Sequence, residues 1–192
     1  MQDLSGDREL VLRARHGDMN AFERLVEKFD RRILSLAFSF TRNSDDAKDI
    51  YQETLIRAYR SIGKFEFRSE FSTWLYRIAT NVCLRFKSLE KRNSILVERK
   101  DWSDNDPDDG SNGAASPESV EGEYMRMELA KQIENALDLL SPMQRLVFTM
   151  KHYEGYKLRE IASIANLTEG TVKKHLYVAV RRLQQELAGV LE

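Results

Sequence analysis

The chain of 192 residues has one cysteine, Cys83, and three prolines. A single thiol excludes a disulfide framework and the small secreted scaffolds built on one. The three histidines, His16, His152 and His175, stand far from one another and from Cys83, so no zinc spacing exists. No run reaches the ~18 apolar residues of a membrane span. The opening MQDLSGDREL has no apolar stretch of the signal-peptide kind. No Gly-rich phosphate loop and no Ser/His/Asp or Cys/His grouping emerges, so an enzyme is not expected, nor a metal or cofactor. No alternating strand pattern bounded by turns occurs either. What remains is a soluble, cytoplasmic, non-enzymatic, all-α protein.

Charge of one sign is also missing: 30 basic residues face 31 acidic ones, for a net charge of −1. That excludes a uniformly basic nucleic-acid binder but not a segmented one. Residues 1–97 carry 18 basic and 14 acidic side chains, residues 98–135 carry 4 and 11, and residues 136–192 carry 8 and 6. Two basic ends therefore flank an acidic middle. The stretch 101–119, DWSDNDPDDGSNGAASPES, has only Trp102, Ala114 and Ala115 as apolar residues. It cannot bury enough surface to offset an ordering cost of roughly 1–2 kcal/mol per residue. The reading is a flexible acidic linker, 98–121, between two domains, 1–97 and 122–192.

Helical spacing fills both domains. Asp18 caps a segment whose apolar residues run Phe22, Leu25, Val26, Phe29, Ile33, Leu36, Ala37 and Phe40. Asn43 and Ser44 open a second, with Asp45 and Asp46 in the first turn, where the helix dipole favours negative charge. Gly63 ends it. Phe71, Trp74, Leu75, Ile78, Ala79, Val82 and Phe86 mark a third. In the C-terminal part, Ser141-Pro142-Met143-Gln144 combines a cap, a first-position proline and a capping-box glutamine.

Three constellations carry chemistry. The first is 158–183. Leu158, Ile161, Ala162 and Ala165 form a short apolar face, and Asn166 tolerates a left-handed turn. Thr168 caps a second helix with Val172, Leu176, Val180 and Leu183 inside. Thr171, Lys173, Lys174, His175, Tyr177, Arg181 and Arg182 face outward, and residues 157–182 hold 6 basic and 2 acidic residues. Such a helix fits a major groove; an ordinary helical hairpin with a solvated basic face is the bland alternative. The second is 63–92, where Phe65, Phe67, Phe71, Trp74, Tyr76 and Phe86 interleave with Lys64, Arg68, Arg77, Arg85, Lys87, Lys91 and Arg92. Stacking faces and cations are what single-stranded nucleic acid needs, although Phe71, Trp74 and Phe86 also suit a core. In the third, Asp46, Asp49 and Glu53 share one helix face beside Gln52, which serves as a solvated face or as a docking surface.

Taken in order, Asp46-Ala47-Lys48-Asp49-Ile50-Tyr51-Gln52-Glu53, Phe71-Ser72-Thr73-Trp74-Leu75-Tyr76-Arg77-Ile78-Ala79-Thr80-Asn81 and Gly170-Thr171-Val172-Lys173 resemble the motifs of bacterial RNA polymerase sigma factors. The short two-domain form resembles their extracytoplasmic-function class. The resemblance implies a region 2 helical bundle and a region 4 helix-turn-helix. It implies that Asp46, Asp49, Ile50, Gln52 and Glu53 bind the clamp of the polymerase's largest subunit. It places Lys64, Phe65, Phe67, Arg68, Trp74, Arg77, Asn81 and Arg85 on the melted minus-ten element, and Thr171, Lys173, Lys174, His175, Tyr177 and Arg181 on the duplex minus-thirty-five element. His175 and Val178 stand where many family members carry Arg. The partners implied are core RNA polymerase, promoter DNA and an anti-sigma factor.

The main rival is a LuxR-type regulator, because Leu140 to Arg145 followed by Thr171 to Leu176 also resembles that helix-turn-helix family. It leaves the N-terminal motifs without a role. A helical adaptor that binds only protein has no use for a basic recognition helix.

Overall fold

The computed structural model describes residues 4–97, 132–133 and 135–188. The linker reading for 98–121, Trp102 included, lies outside the described residues. Among those described there is no strand, and every element is helical.

Five α-helices build the N-terminal body: α1 (Leu4–Arg15), α2 (Met19–Val26), α3 (Asp30–Thr41), α4 (Ser44–Ser61) and α5 (Phe71–Val97). The cap at Asp18 forms as expected, its carboxylate accepting from the Ala21 amide at 3.0 Å. That bond, with Arg13 beside it, holds the Asp18 carboxyl below its ordinary pKa. The apolar run that follows is not one helix, however. A short 3-10 turn, Glu27–Phe29, divides it into α2 and α3, and Phe29 stays buried at the break. The shared apolar spacing hid the change of pitch. Asn43 caps α4, its side chain accepting from the amides of Asp45 and Asp46 at 2.8 and 3.1 Å. α4 gives way at Ser61 to a 3-10 turn, Ile62–Lys64, containing Gly63. Leu25, Ile33, Leu36, Phe40, Leu75 and Tyr76 form the centre of the body, each essentially without solvent contact. Cys83 packs there as a small hydrophobe, and burial pushes its thiol pKa up to about 12.

The C-terminal unit has α6 (Pro142–His152), α7 (Leu158–Ala165) and α8 (Glu169–Leu187). Ser141 and Gln144 form the reciprocal capping box before α6. Asn166 ends α7 in the left-handed conformation (φ 55°, ψ 47°), and Thr168 caps α8. The inner face of α8 is Val172, Ala179 and Leu183; Leu176 and Val180 are only half-buried.

The two units pack against each other in this structure, α7 and α6 lying on α5 and α3. The Arg77 guanidinium donates to the Ser163 carbonyl at 2.7 Å, and buried Arg145 donates to the Ser39 carbonyl at 3.2 Å. Arg42 pairs with Asp138 at 2.6 Å. The rings of Tyr76 and Tyr156 meet edge-on, with centroids 5.3 Å apart.

Candidate nucleic-acid interface

Three sites can be placed. The first is a pocket of about 380 Å³ on the N-terminal body, lined by Phe65, Phe67, Arg68, Ser69, Glu70 and the α1 residue Arg8, among others. The loop between the 3-10 turn and α5 makes its rim. Phe65 is buried and anchors that loop, its ring 5.2 Å from Trp74 and 5.1 Å from Phe67. Phe67 sits at φ 55°, a left-handed conformation that costs a non-glycine residue about 1–3 kcal/mol and persists only where neighbours over-determine it. The neighbours here are aromatic and cationic: Phe65 on one side, the guanidiniums of Arg8 and Arg15 on the ring at 5.2 and 5.8 Å. Lys64 and Arg68 are exposed. A concave site with aromatic walls, where Arg8 and Arg68 stand among Asp7 and Glu70 and Arg68 pairs with Glu66 at 2.6 Å, suits a flat, unstacked base with its phosphate on the arginines.

Trp74, Arg77, Asn81 and Arg85 recur at spacings of three and four, one stripe of α5. The structure does not bring the whole stripe to the pocket. Trp74 packs on Phe65 and Phe71. Arg77 is engaged by Ser163. Asn81 is exposed, and Arg85 lines a different groove altogether.

That groove is the second site. It holds about 370 Å³ between α4 and α5, with Asp49, Ile50, Glu53, Val82, Arg85 and Leu89 in its walls. Ile50 is its buried floor at 2% exposure, whereas Asp49 and Gln52 are exposed. Glu53 is bonded to Arg57 one turn on at 2.6 Å. Asp46 is half-buried beside the Asn43 cap. An apolar trough whose rim sets Asp49 and Glu53 beside Arg57 and Arg85 is a helix-docking geometry, with Leu89 exposed at its edge.

The third site is α8. Lys173, Lys174 and Arg181 are exposed, and Tyr177 projects with 67% of its surface free. His175 and Thr171 are half-buried, and the Thr171 hydroxyl is 2.8 Å from that of Thr168, so part of its hydrogen-bonding capacity serves the cap. The face is a convex ridge, the complement of a duplex groove.

Sequence reasoning assigned nothing to α1, although Leu10, Val11 and Ala14 give it an inward face and Val11 lines the pocket. It also missed Ser163 as the acceptor for Arg77, a contact between residues 86 positions apart that no local pattern encodes.

The family profiles "Sigma-70 region 2" and "Sigma-70, region 4" match residues 25–93 and 130–183. The chain is similar to the RNA polymerase sigma-H factor of Pseudomonas aeruginosa, 30% identical with 96% of this chain and 95% of that protein covered. It is similar to the ECF RNA polymerase sigma-E factor of Escherichia coli K12, 31% identical with 100% of this chain and 99% of that protein covered. Among solved structures, its fold is that of the sigma factor RpoE from Bartonella quintana, described in complex with the anti-sigma factor NepR. That likeness has a TM-score of 0.63 and 23% identity, and covers 87% of this chain and 96% of that one.

Proposed function

The chain belongs to the extracytoplasmic-function class of the sigma-70 family, and from that premise we propose that it reads a promoter in two physical states of DNA, a melted strand in the pocket and a duplex on α8. It is a transcription initiation factor, which binds core RNA polymerase and directs it to promoters. Catalysis belongs to the polymerase; the chain acts in the cytoplasm and catalyses nothing itself. The domains are 1–97 and 122–192, with 98–121 as connector. The α4–α5 groove takes the clamp of the largest subunit through Asp49 and Glu53 on its rim and Ile50 on its floor, with Asp46 and Gln52 contributing from the same helix, α4. Lys64, Phe67, Arg68, Trp74 and Asn81 hold the minus-ten strand over buried Phe65, and Arg77 joins them after leaving Ser163. Arg85 is shared with the groove. Lys173, Lys174, His175, Tyr177, Arg181 and Thr171 read the minus-thirty-five duplex. An anti-sigma factor, the partner described for the Bartonella relative, is the further partner proposed here.

The observation that carries this reading is the contrast of site shapes: an aromatic pocket with cations at its mouth and, on the other unit, an exposed basic helix. Magnitudes assign the melting. Opening ten base-pair steps at ~1.4 kcal/mol each costs about 14 kcal/mol. Stacking a trapped base recovers about 1–3 kcal/mol. The chain therefore traps the first unpaired base and polymerase supplies the rest. Geometry adds a requirement. The two elements are named for positions 25 steps apart, about 85 Å of duplex at 3.4 Å per step, yet here Arg77 is 2.7 Å from Ser163, just ahead of the recognition helix. The two units must separate to span both elements.

The test is transcription with purified core polymerase. Adding the chain is expected to give transcripts from defined start sites, with weak promoter binding by the chain alone. Tight, sequence-specific duplex binding without polymerase, the behaviour of a LuxR-type regulator, overturns the proposal.

A further inference from the structure

Helix α1 has no part in the reading above, yet it closes one side of the pocket. Arg8, Val11 and Arg15 lie at spacings of three and four on one face of it, and Val11 is packed into the core at 1% exposure. Val11 therefore fixes the rotation of the helix and aims both arginines at the loop. Their guanidiniums lie over one aromatic ring, Phe67, at 5.2 and 5.8 Å. Asp7, next to Arg8 on the pocket wall, is engaged by Lys28. Arg8 is exposed at the pocket mouth, while Arg15 is half-buried behind it.

We infer that α1 is a working part of the minus-ten site: Arg8 is a DNA contact, pairing with the phosphate next to the trapped base, and Arg15 is a positioning residue that holds the Phe67 ring. The inference rests on the pocket's proposed role as the base trap. A guanidinium offers a planar face to the ring and, along its edge, five donors to an anion. Arg8 can thus keep its contact with Phe67 while its edge engages a phosphate. Arg15, further from solvent, acts through the ring alone. The left-handed backbone at Phe67 persists where neighbours over-determine it, and Arg8 and Arg15 join Phe65 in holding the ring.

The experiment uses holoenzyme reconstituted from the full chain and core polymerase. A single-stranded DNA pool randomised over ten positions is selected on the wild-type holoenzyme, and the winning oligonucleotide, labelled with fluorescein, is the probe. Arg8→Ala is expected to weaken binding about fivefold or more, as for one lost cation contact, and to reduce the slope of log affinity against log salt by about 0.7. Arg8→Lys is expected to restore the slope but only part of the affinity, since an ammonium has no planar face. Arg15→Ala is expected to weaken binding with the slope unchanged, and to cost nothing further in a Phe67→Ala background. Wild-type affinity and slope in both arginine variants, with Phe67→Ala still weakened, overturn the inference and leave the pocket reading standing. Wild-type binding by Phe67→Ala and Trp74→Ala as well overturns the pocket reading and the inference together. Loss of helical circular dichroism in the arginine variants, matched by loss of polymerase binding, assigns α1 to folding alone and overturns the inference.

Discussion

The two surfaces proposed for nucleic acid, one at each end of this chain, have opposite shapes. The N-terminal body offers a concavity whose walls are rings and whose loop is held in a conformation that Phe67 would not adopt unaided. The C-terminal unit offers a regular helix whose basic side chains stand on a ridge. The difference follows from the state of the DNA each suits. A base inside a duplex hides its faces and shows its edges, so a ridge in the groove suffices. A base out of the stack shows its faces, and aromatic side chains around a pocket can stack on them. In the pocket loop of the first region the left-handed position is held by an aromatic residue, Phe67; in the second region it is Asn166, a residue that tolerates that conformation, beside an ordinary cap and helix.

The comparison breaks most visibly if the two regions are not separable. Trp74→Ala in holoenzyme is expected to weaken melted-strand binding by about 1–3 kcal/mol, the worth of one stacking platform, and to leave binding to a duplex minus-thirty-five probe within twofold. Lys173→Ala should do the reverse. Its effect is smaller, a salt slope on duplex reduced by about 0.9 for one lost phosphate contact, with melted-strand binding unchanged. Footprinting and anisotropy on the same two preparations read both. If Trp74→Ala and Lys173→Ala each weaken both probes equally, the division of labour is wrong.

The regularity of the second region made it legible in the sequence. Ser141, Asn166 and Thr168 are local devices whose partners lie within five residues, and all three do in the structure what their chemistry dictates. The helices of the first region were legible for the same reason, apart from the 3-10 break at Glu27–Phe29, where the apolar spacing continued through a change of pitch. The pocket was half legible. Aromatic and basic residues between 63 and 92 announced it, but the contribution of α1 depends on a contact from Arg8 to Phe67 across more than fifty residues. Arg85 was assigned with its stripe on α5, and the stripe is long enough to leave one site and enter another. Periodicity tells which face a side chain is on and not how far along the helix a neighbour stops.

A smaller effect sharpens the second region. Thr168 accepts from the Thr171 amide at 3.2 Å and orders the start of the recognition helix. Thr168→Ala is expected to cost about 1 kcal/mol of stability, read as a lower urea midpoint, with a comparable loss in duplex affinity. The melted-strand site should not notice. A change in pocket binding equal to that on duplex would mean that the ends are coupled even when apart.

The smallest effect concerns the seam between the regions. Glu154 of the C-terminal unit lies 3.9 Å from Arg32 of the N-terminal body, with its side chain 7% exposed. Burial raises its carboxyl above the usual pKa of 4.5, and the Arg32 charge and a hydrogen bond with the Ser35 side chain offset only part of that. The sign follows from linkage. A carboxyl with a raised pKa in the packed state binds its proton more tightly there than when free. Packing is therefore most favourable below pH 4.5 and loses that contribution as pH rises through the raised value. At pH 7 the charged Glu154 works against the seam. Glu154→Gln keeps the shape and removes the titration. The variant should have a higher urea midpoint than the wild type at pH 7–8, and the gap should close towards pH 4, where the wild-type carboxyl is itself neutral. It should also hold the two units together longer, so that promoter complexes form more slowly at pH 7 with unchanged final affinity per open chain. A Gln variant less stable than the wild type at pH 8 would show that the Arg32 pairing outweighs the cost of burial, and that the seam is a charge contact rather than a weak point through which the two regions come apart.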